Sequence, residues 1–533
     1  MKSNRTNKNA WQNFREFYFD FPAIELAVDL SRMGIKKEYF SKMESRIQRA
    51  FKAMTALEKG AIANPDENRM VGHYWLRNSR IAPNRSIQRE IEANLKNIKA
   101  FTKKVHAGRI KGSGGTFRNL LIIGIGGSAL GPQFVSQALG NPRTDKLHPY
   151  FLDNTDPDGM QRVFGKIGND LSKTLCVVIS KSGGTKETRN GMLEAKAAYE
   201  KRRLHFEAHA VAITGVGSEL DNYAKSNRWI RRFPMWDWVG GRTSELSGVG
   251  LLPATLQAIE TDELLRGARE CDAVTRSPVT RKNPAALLAL SWYHAVGGVG
   301  EKNMVVLPYK DRLELLSKYL QQLIMESLGK EKDLTGKVVN QGITVLGNKG
   351  STDQHSYIQQ LRDGLDDFFV TFIEVLVDQK RPGVFVEPGI TSGDYLSGFL
   401  LGTRQALHEA RRLSLCLTVR DVSPFSVGVL IALYERAVGF YASLVNINAY
   451  HQPGVEAGKK AAANVLVLQK RIVTHLKSNK GKTFTAEAIA NAIASPDQTE
   501  HVFKICQRLA MNPWRRIKKE TNTNPLDSRF HAA

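Results

Sequence analysis

The chain has 533 residues, more than a single hydrophobic core usually organises, so we expect at least two domains. Its 42% hydrophobic and 24% charged residues are typical of an ordinary soluble globular protein. The longest apolar run near the N-terminus, "LLIIGIGG", is too short to cross a bilayer. The basic N-terminal segment lacks the apolar core of a secretory signal; the end of an organelle transit peptide is the alternative interpretation of this segment. We therefore expect a cytoplasmic protein with no membrane partner.

The charge balance is strongly basic, with 76 Lys and Arg against 52 Asp and Glu, a net charge of +24. Such an excess often marks nucleic-acid binding. Here the densest basic segments, "KSNKGK" and "WRRIKK", lie near the C-terminus, away from the glycine-rich turns, and are not interleaved with aromatic residues for base stacking. No helix-turn-helix extension is evident either. We predict a solvated basic surface that attracts anionic metabolites, and no nucleic-acid partner.

Cysteine usage favours reduced thiols over a disulfide framework or a metal site. The four cysteines, Cys176, Cys271, Cys416 and Cys506, are scattered without paired metal-site spacing, and two lie in apolar runs. No close group of His, Asp or Glu has metal-ligand spacing. We expect buried reduced thiols, no metal and no cofactor.

Residues 1–105 are predicted to form an N-terminal helical region, because "IELAVDLSRM" and "IQREIEANLKNIKAF" have helical spacing of apolar residues. A first α/β domain is predicted over residues 106–285. Its strands are Leu120–Ile123, "HPYFLD", "LCVVIS" and "HAVAIT", each followed by a plausible helix. Repeated strand–helix units give a doubly wound parallel sheet that binds ligands outside the carboxyl ends of its strands.

Two of these strands run into glycine- and serine-rich turns. After the first strand, Gly124, Gly126, Gly127 and Ser128 form a tight turn that opens onto a helix. Gly124, Gly126 and Ala129 also satisfy a loose dinucleotide fingerprint, so a nucleotide-dependent oxidoreductase remains the alternative enzyme.

The stretch "TLCVVISKSGGTKET", Thr174–Thr188, is the stronger candidate for a phosphate site. Ser180, Ser182 and Thr185 offer hydroxyls, and Gly183 and Gly184 let backbone N–H groups approach a ligand. A helix starting near Thr185 would direct its positive end to the same place. Alone, the stretch fits an ordinary strand-to-helix connection equally well.

A second α/β domain is predicted over residues 286–470, with strands in "NMVVLPY", "GITVLG", "FFVTFIEV" and "LSLCLTV", followed by a polar helical tail over residues 471–533. A helix is predicted over Leu313–Leu328, with an apolar stripe formed by Leu316, Leu320, Leu323 and Ile324. Glu326 lies off this stripe and is predicted not to be a core residue.

Six motifs together carry a family resemblance: "IGIGGSALGP", "VISKSGGTKET", "VGGRTSELSGVG", "QQLIMESLGK", "GNKGSTDQHSYIQQLRDG" and "NAYHQPGVEAGKK". In this order, over residues 120–460, they resemble the glucose-6-phosphate isomerase (phosphoglucose isomerase) family, in its bacterial and plastid branch. Leu328 replaces an Asn found in many members. The resemblance implies two sugar-isomerase domains, a homodimer with shared active sites and no cofactor or metal. It implies reversible conversion of glucose 6-phosphate to fructose 6-phosphate through a cis-enediol, in glycolysis and gluconeogenesis.

The resemblance also implies residue roles. Glu326 would be the base, Arg242 would stabilise the enediolate, and His355, donated by the neighbouring subunit, would open the sugar ring with Lys459. The implied substrate-binding residues are Gly127, Ser128, Ser180, Lys181, Ser182, Thr185, Glu187 and Gln452. From the residues alone we expect Glu326 just before a C-capping Gly329, and His355 in the first turn of a helix capped by Ser351 or Thr352.

Two further alternatives share parts of this pattern. A sugar-phosphate-sensing regulatory module would keep the anion site but would not need Glu326, Arg242 and His355 together. A glucosamine-phosphate synthase would need an N-terminal cysteine for its glutaminase half, where this chain has Lys2.

Overall fold

A computed structural model describes the backbone of residues 2–533 and the side chains of residues 10–454, 458 and 461–533. The chain forms two compact units, the first ending at His451 and the second spanning Gln452–Ala533. The domain boundaries expected from the sequence at residues 105, 285 and 470 stay predictions.

The strands of the chain, in order, are β1 (Tyr18–Phe21), β2 (Leu26–Arg32), β3 (Ile62–Asn64), β4 (Arg69–Met70), β5 (Asn119–Ile123), β6 (His148–Leu152), β7 (Thr174–Ser180), β8 (Ala210–Thr214), β9 (Arg231–Pro234), β10 (Asn303–Pro308), β11 (Lys330–Lys332), β12 (Val338–Gln341), β13 (Val345–Leu346), β14 (Phe368–Val375), β15 (Phe385–Glu387), β16 (Ile390–Thr391), β17 (Ser414–Val419), β18 (Ile517–Glu520) and β19 (Arg529–Ala532).

The α-helices are α1 (Lys2–Phe17), α2 (Glu38–Glu58), α3 (Arg85–His106), α4 (Leu130–Leu139), α5 (Pro157–Ile167), α6 (Lys186–Lys201), α7 (Glu219–Ser226), α8 (Gly248–Gln257), α9 (Thr261–Thr275), α10 (Pro284–Ala295), α11 (Leu316–Leu320), α12 (Ile358–Asp363), α13 (Ser392–Glu409), α14 (Pro424–Leu444), α15 (Pro453–Ser478), α16 (Ala486–Ala492) and α17 (Thr499–Ala510).

The first sheet has five strands in the order β6-β5-β7-β8-β9, and all its pairings are parallel. Strands β5, β7 and β8 are buried throughout because helices cover both faces, which explains their nearly continuous apolar sequences. The predicted doubly wound domain is confirmed here. Since β5 and β7 are parallel neighbours, the two glycine- and serine-rich turns that follow them lie side by side at the carboxyl end of the strands.

The second sheet has six strands in the order β1-β2-β17-β14-β10-β13. The four strands predicted for the second α/β domain pair in parallel and form its core. Strands β1 and β2 join this sheet in antiparallel orientation from the N-terminal region.

The helical prediction for "IELAVDLSRM" is wrong, because Leu26–Arg32 forms β2 and pairs with β17. Its first five residues are buried. Pairing with β17 satisfies the backbone and burial on both faces hides the apolar residues, so tertiary contacts override the local helical pattern. The other predicted N-terminal helix, "IQREIEANLKNIKAF", is confirmed within α3.

Helix α14 has the length and hydropathy of a membrane span, with a mean hydropathy of 1.4 in its most apolar window, and among the described residues it is the one helix that does. That window is 94% buried inside the protein, the pattern of a core helix packed against α9 and α10.

The second unit is formed by α15, α16 and α17 with the antiparallel hairpin β18–β19. Its core includes Leu476, Ile489, Cys506, Ile517 and Phe530. The tail predicted as polar and helical contains these helices and, in addition, a hairpin that was not predicted, because the last two strands pair after α17.

Candidate active site

The turn after β5 packs directly against the "VGGR" loop. Residues Gly126–Ser128 form one short 3₁₀ turn, and Gly126 has a φ of 58°, which favours glycine. A Cβ on Gly127 would lie 1.9 Å from the carbonyl oxygen of Gly241 and 2.8 Å from the amide nitrogen of Arg242. Only glycine therefore allows these two backbone segments to touch, and the contact brings predicted residues Gly127 and Ser128 beside Arg242.

The turn after β7 has the form expected of an anion site. The Ser180 hydroxyl accepts a hydrogen bond from the Gly183 amide at 3.1 Å, and the Ser182 hydroxyl accepts one from the Gly184 amide at 3.2 Å. Gly183 has a φ of +75°, and a Cβ there would lie 2.2 Å from the backbone nitrogen of Leu220. Helix α6 begins at Lys186, as predicted, and Thr185 occupies the N-cap position without its side chain capping the helix.

Lys181 joins this turn to the loop that precedes Arg242. Its Nζ donates hydrogen bonds to the carbonyl oxygens of Asp237 at 2.9 Å and Val239 at 3.1 Å. Burial, the largest cause, lowers the pKa of Lys181, and the nearby Asp237 carboxylate opposes this shift. A cation is thereby fixed at the edge of the sheet where both turns end.

Arg242 is buried and is held by groups from two segments, one at residues 326–327 and one at residues 449–451. Its Nε donates to the Ser327 hydroxyl at 2.8 Å, and its Nη2 donates to the carbonyl oxygens of Ala449 at 2.7 Å and His451 at 3.1 Å. Its Nη1 lies 3.5 Å from Oε2 of Glu326. Burial lowers the pKa of Arg242, while Glu326 acts in the opposite direction. These bonds fix the guanidinium plane beside the Glu326 carboxylate.

Glu326 lies at the end of an irregular helix. The predicted α-helix over Leu313–Leu328 is regular only in α11, and Gln321–Glu326 is a π-helix. π-Helical segments are rare and occur frequently at functional sites. The predicted apolar stripe is buried, whereas the Glu326 side chain is 22% exposed, so the prediction that it is not a core residue is confirmed.

The Glu326 carboxylate is oriented by its neighbours. Gln322 Nε2 donates to Oε2 of Glu326 at 3.0 Å, and the same Nε2 is the atom nearest to a Cβ built on Gly126, at 3.0 Å. Gln322 therefore lies between the carboxylate and the first glycine turn. Gly329 follows the helix end, where its amide bonds to the carbonyl of Met325 at 2.8 Å.

Lys330 is a charged residue of this site that the sequence did not single out, as Gln322 and Ser327 are uncharged ones. Its Nζ donates to the carbonyl oxygens of Glu326 and His451, both at 2.8 Å. Burial, and then the nearby Arg242, lowers the pKa of Lys330 to about 8. The residue stands in the quoted motif "MESLGK", four positions after Glu326, but sequence spacing does not reveal that the side chain folds back onto the helix end.

Within the described residues, the side chains of Glu187 and His355 form no hydrogen bond or ion pair with this group. Glu187 is half-buried on α6. His355 is exposed and ends a 3₁₀ turn over Thr352–His355, so the expected helical first turn with a Ser351 or Thr352 side-chain cap is wrong. In the described part of the chain, His355 makes no hydrogen bond with Glu326 or Glu187.

Two predicted residues belong to the second unit. Gln452 precedes α15 at its N-cap position, and Lys459 lies within that helix. The side chain of Lys459 falls outside the described residues.

The chemistry of this arrangement follows from its charges. A carboxylate beside a buried guanidinium can move a proton while the guanidinium stabilises the negative oxygen that results. Two turns with N–H groups and hydroxyls at the same sheet edge can bind an anion. Across the described residues, no three His, Cys, Asp or Glu side chains are grouped as metal ligands, and a metal-independent reaction stays a prediction.

Comparison with known proteins gives a consistent result. The family model for phosphoglucose isomerase matches residues 29–483, a range that includes every predicted site residue. The chain is 58% identical over 522 residues to glucose-6-phosphate isomerase of Geotalea daltonii, with 98% of each chain covered. It is 61% identical over 506 residues to the corresponding protein of Geobacter sp. strain M21, with 95% of each covered. A crystal structure of a glucose-6-phosphate isomerase from Chlamydia trachomatis matches with a TM-score of 0.79 and 27% identity, covering 86% of this chain and 91% of that chain.

Proposed function

The chain belongs to the phosphoglucose isomerase family, and from that premise we propose that it interconverts glucose 6-phosphate and fructose 6-phosphate through a cis-enediol, in glycolysis and gluconeogenesis. The isomerase assignment is common to relatives that match nearly the whole chain. The intermediate and the residue roles are the finer part of the proposal.

Glu326 is the proposed base. In the open-chain aldose its carboxylate takes the proton from C2, the C2–H electron pair forms the C1–C2 double bond, and the carbonyl oxygen on C1 becomes negative. The base then returns the proton to C1, while the proton of the C2 hydroxyl passes to the negative oxygen on C1; a carbonyl remains at C2, which gives the ketose. The half-buried position of Glu326 supports this role, because the carboxylate is reachable yet restrained by Gln322.

Arg242 is the proposed stabiliser of the enediolate oxygen. A charge that develops during the reaction is best stabilised by a donor that does not have to move. The guanidinium is fixed by Ser327, Ala449 and His451 before any substrate arrives. Its separation of 3.5 Å from Glu326 is the single observation that carries the proposal, since base and cation then face one substrate position.

The phosphate group is proposed to bind at the turns after β5 and β7. Gly127, Ser128, Ser182 and Thr185, together with the N-terminus of α6, supply the donors that a phosphate dianion needs. Ser180 and Lys181 shape this site, because their bonds hold Gly183 and the loop at Asp237–Val239.

Ring opening is proposed for His355 and Lys459, with Glu187 and Gln452 in support. The family resemblance assigns the histidine to the neighbouring chain of a homodimer, so the partner subunit's His355 would complete each site. Exposure of His355 on its own chain agrees with such a role, because a donated residue must project from the subunit that carries it.

The test is conversion of fructose 6-phosphate to glucose 6-phosphate by purified protein in EDTA, measured with a glucose-6-phosphate dehydrogenase and NADP⁺. We expect NADPH only when the coupling enzyme is present. Absorbance that changes without it would favour the nucleotide-dependent oxidoreductase. No turnover with active coupling enzyme would overturn the proposal.

A further inference from the structure

Residues 484–533 lie beyond the family match, yet they complete the compact second unit. The isomerase chemistry proposed above uses none of them. Their core is built from one face of each element, including Ile489 of α16, Cys506 of α17 and Phe530 of β19. This core is shared with α15, the helix that contains Lys459, and residues 484–533 add surfaces that the proposed chemistry does not use.

The order of elements in this unit is that of a helix-turn-helix followed by a β-hairpin wing. Helix α16 is joined to α17 by the short connection 493–498, and α17 packs against α15, α16 and β18. Strands β18 and β19 form the hairpin, and Phe484 adds a bridge to Phe530. The sequence analysis predicted this region only as a polar helical tail, because sequence does not show that a hairpin pairs after the last helix.

Helix α17 buries one face and exposes the other. Val502, Ile505, Cys506 and Leu509 follow the i, i+3, i+4, i+7 spacing and are buried. The opposite face is exposed and carries two cations, one carboxylate and two other polar side chains: Lys504, Arg508, Glu500, His501 and Gln507. In helix-turn-helix proteins the second helix presents such a face to the edges of bases in the major groove.

The hairpin adds basic side chains beside this helix. Lys518 and Arg529 are exposed, whereas Ile517 and Phe530 are buried in the core of the unit. The connecting residues 521–527 are exposed, as a wing that reaches along a DNA backbone would be. Over residues 470–533, Lys and Arg outnumber Asp and Glu, which suits a polyanion.

We propose that this second unit binds duplex DNA, with α17 in the major groove and the β18–β19 hairpin against the phosphate backbone. The major groove of B-DNA admits an α-helix, whereas the deep, narrow major groove of A-form RNA does not. The earlier expectation of no nucleic-acid partner rested on a missing helix-turn-helix and on basic segments distant from the glycine turns. The order of elements described above answers the first point, and the second does not bear on α17 and the β18–β19 hairpin, which contain no proposed catalytic residue.

The experiment uses the full chain and a fluorescein-labelled pool of random-sequence DNA duplexes of about 40 base pairs, followed by fluorescence anisotropy. Lys504→Glu combined with Arg508→Glu should weaken binding at least about tenfold and reduce the salt dependence of the affinity. The matched control is Arg85→Glu with Arg89→Glu, two exposed residues at the same i, i+4 spacing on α3, with the same change in net charge.

A second pair, Lys518→Glu with Arg529→Glu, tests the hairpin independently and should also weaken binding. Thermal unfolding should show that the variants fold. Equal loss of binding in the α3 control would mean that overall charge, not this surface, attracts DNA, and would overturn the proposal. So would tighter binding to an RNA duplex of the same length, or no measurable binding to DNA at low salt.

Discussion

The Glu326 carboxylate meets two donors of different strength at the same oxygen. Arg242 supplies a charge at 3.5 Å and Gln322 supplies a neutral donor at 3.0 Å. Neither donor encloses the carboxylate, and the Glu326 side chain remains 22% exposed to solvent. In a purely structural ion pair we would expect a shorter distance between the two charged groups and less solvent exposure of both side chains. The looser arrangement leaves the base able to reach a substrate proton.

Replacing Glu326 by Gln tests its proposed role as the base, because the side chain keeps its size but loses its charge. The amide can still contact Arg242 but cannot accept the C2 proton, so we predict that kcat falls at least about 100-fold while KM changes little. The control is Glu331→Gln, the same change on an exposed residue of β11. A matched fall in kcat and in thermal stability for Glu326→Gln would show instead that the residue is structural.

Lys330 links the end of the π-helix to the segment at His451, and its charge can be followed by pH. Burial lowers its pKa to about 8, against about 10.4 for an exposed lysine. Between these values the unfolded chain binds a proton that the folded chain does not, so the contribution of Lys330 to the free energy of unfolding rises with pH.

We therefore predict that wild type gains stability relative to Lys330→Met as pH rises from about 8 to about 10, measured by urea unfolding at each pH. Lys332→Met, an exposed residue on the same strand, should show a constant difference from wild type. If the Lys330→Met difference is also constant with pH, the lysine does not titrate in this window.

At the scale of elements, the sequence predicted what local patterns encode. Four strands of the first sheet and the turn before α6 were predictable, because the central strands are apolar throughout and the turn needs glycines and hydroxyls in order. The fifth strand, β9, was missed because it is short and two of its four residues are exposed arginines. Strand β2 was not, because its apolar spacing fits a helix and one of its two partners, β17, lies almost 400 residues away in the chain. The π-helix was missed because one inserted residue barely changes an apolar stripe.

The contact between the two glycine turns and the "VGGR" loop was also hidden, since sequence does not show which backbones touch. Gly127→Ala would place a methyl group 1.9 Å from the Gly241 carbonyl oxygen and displace the segment that carries Arg242. We predict that kcat/KM falls about 100-fold or more, measured in the coupled assay, because base and cation would no longer face one position.

Gly165→Ala on α5 is the matched control, because a Cβ there meets no atom within 4 Å. A helical Gly-to-Ala change in open space should leave activity unchanged and add up to about 1 kcal/mol of stability. If Gly127→Ala also retained full activity, the contact would be unimportant for catalysis.

At the scale of the whole molecule, some site residues were predicted from the sequence pattern and others only from the family resemblance. The helical spacing alone predicted that Glu326 lies off the apolar stripe, and in the structure its carboxylate lies next to Arg242. The roles of His355 and Lys459 rest on resemblance, because helix-end positions alone do not distinguish a catalytic cation from a solvated one. The second unit was predictable only as polar and helical, since its fold depends on a hairpin that pairs after the last helix.

The shared site can be tested by mixing two inactive chains. In a symmetric dimer, a Glu326→Gln chain paired with a His355→Ala chain places both lesions in one site if the histidine crosses to the partner, and leaves the other site native. Random pairing makes about half of the dimers mixed, each with one native site, so co-expression should restore about a quarter of wild-type activity in the coupled assay.

The control pairs Glu326→Gln with Arg242→Gln. Because Arg242 and Glu326 contact each other within one chain, every site of that mixed dimer carries one lesion, and no activity should return. Differently tagged chains would allow the mixed dimers to be purified and assayed directly. Recovery with His355→Ala but not with Arg242→Gln would assign the histidine to the partner. Failure of both pairs in verified mixed dimers would place all three residues on one chain and leave the isomerase assignment intact.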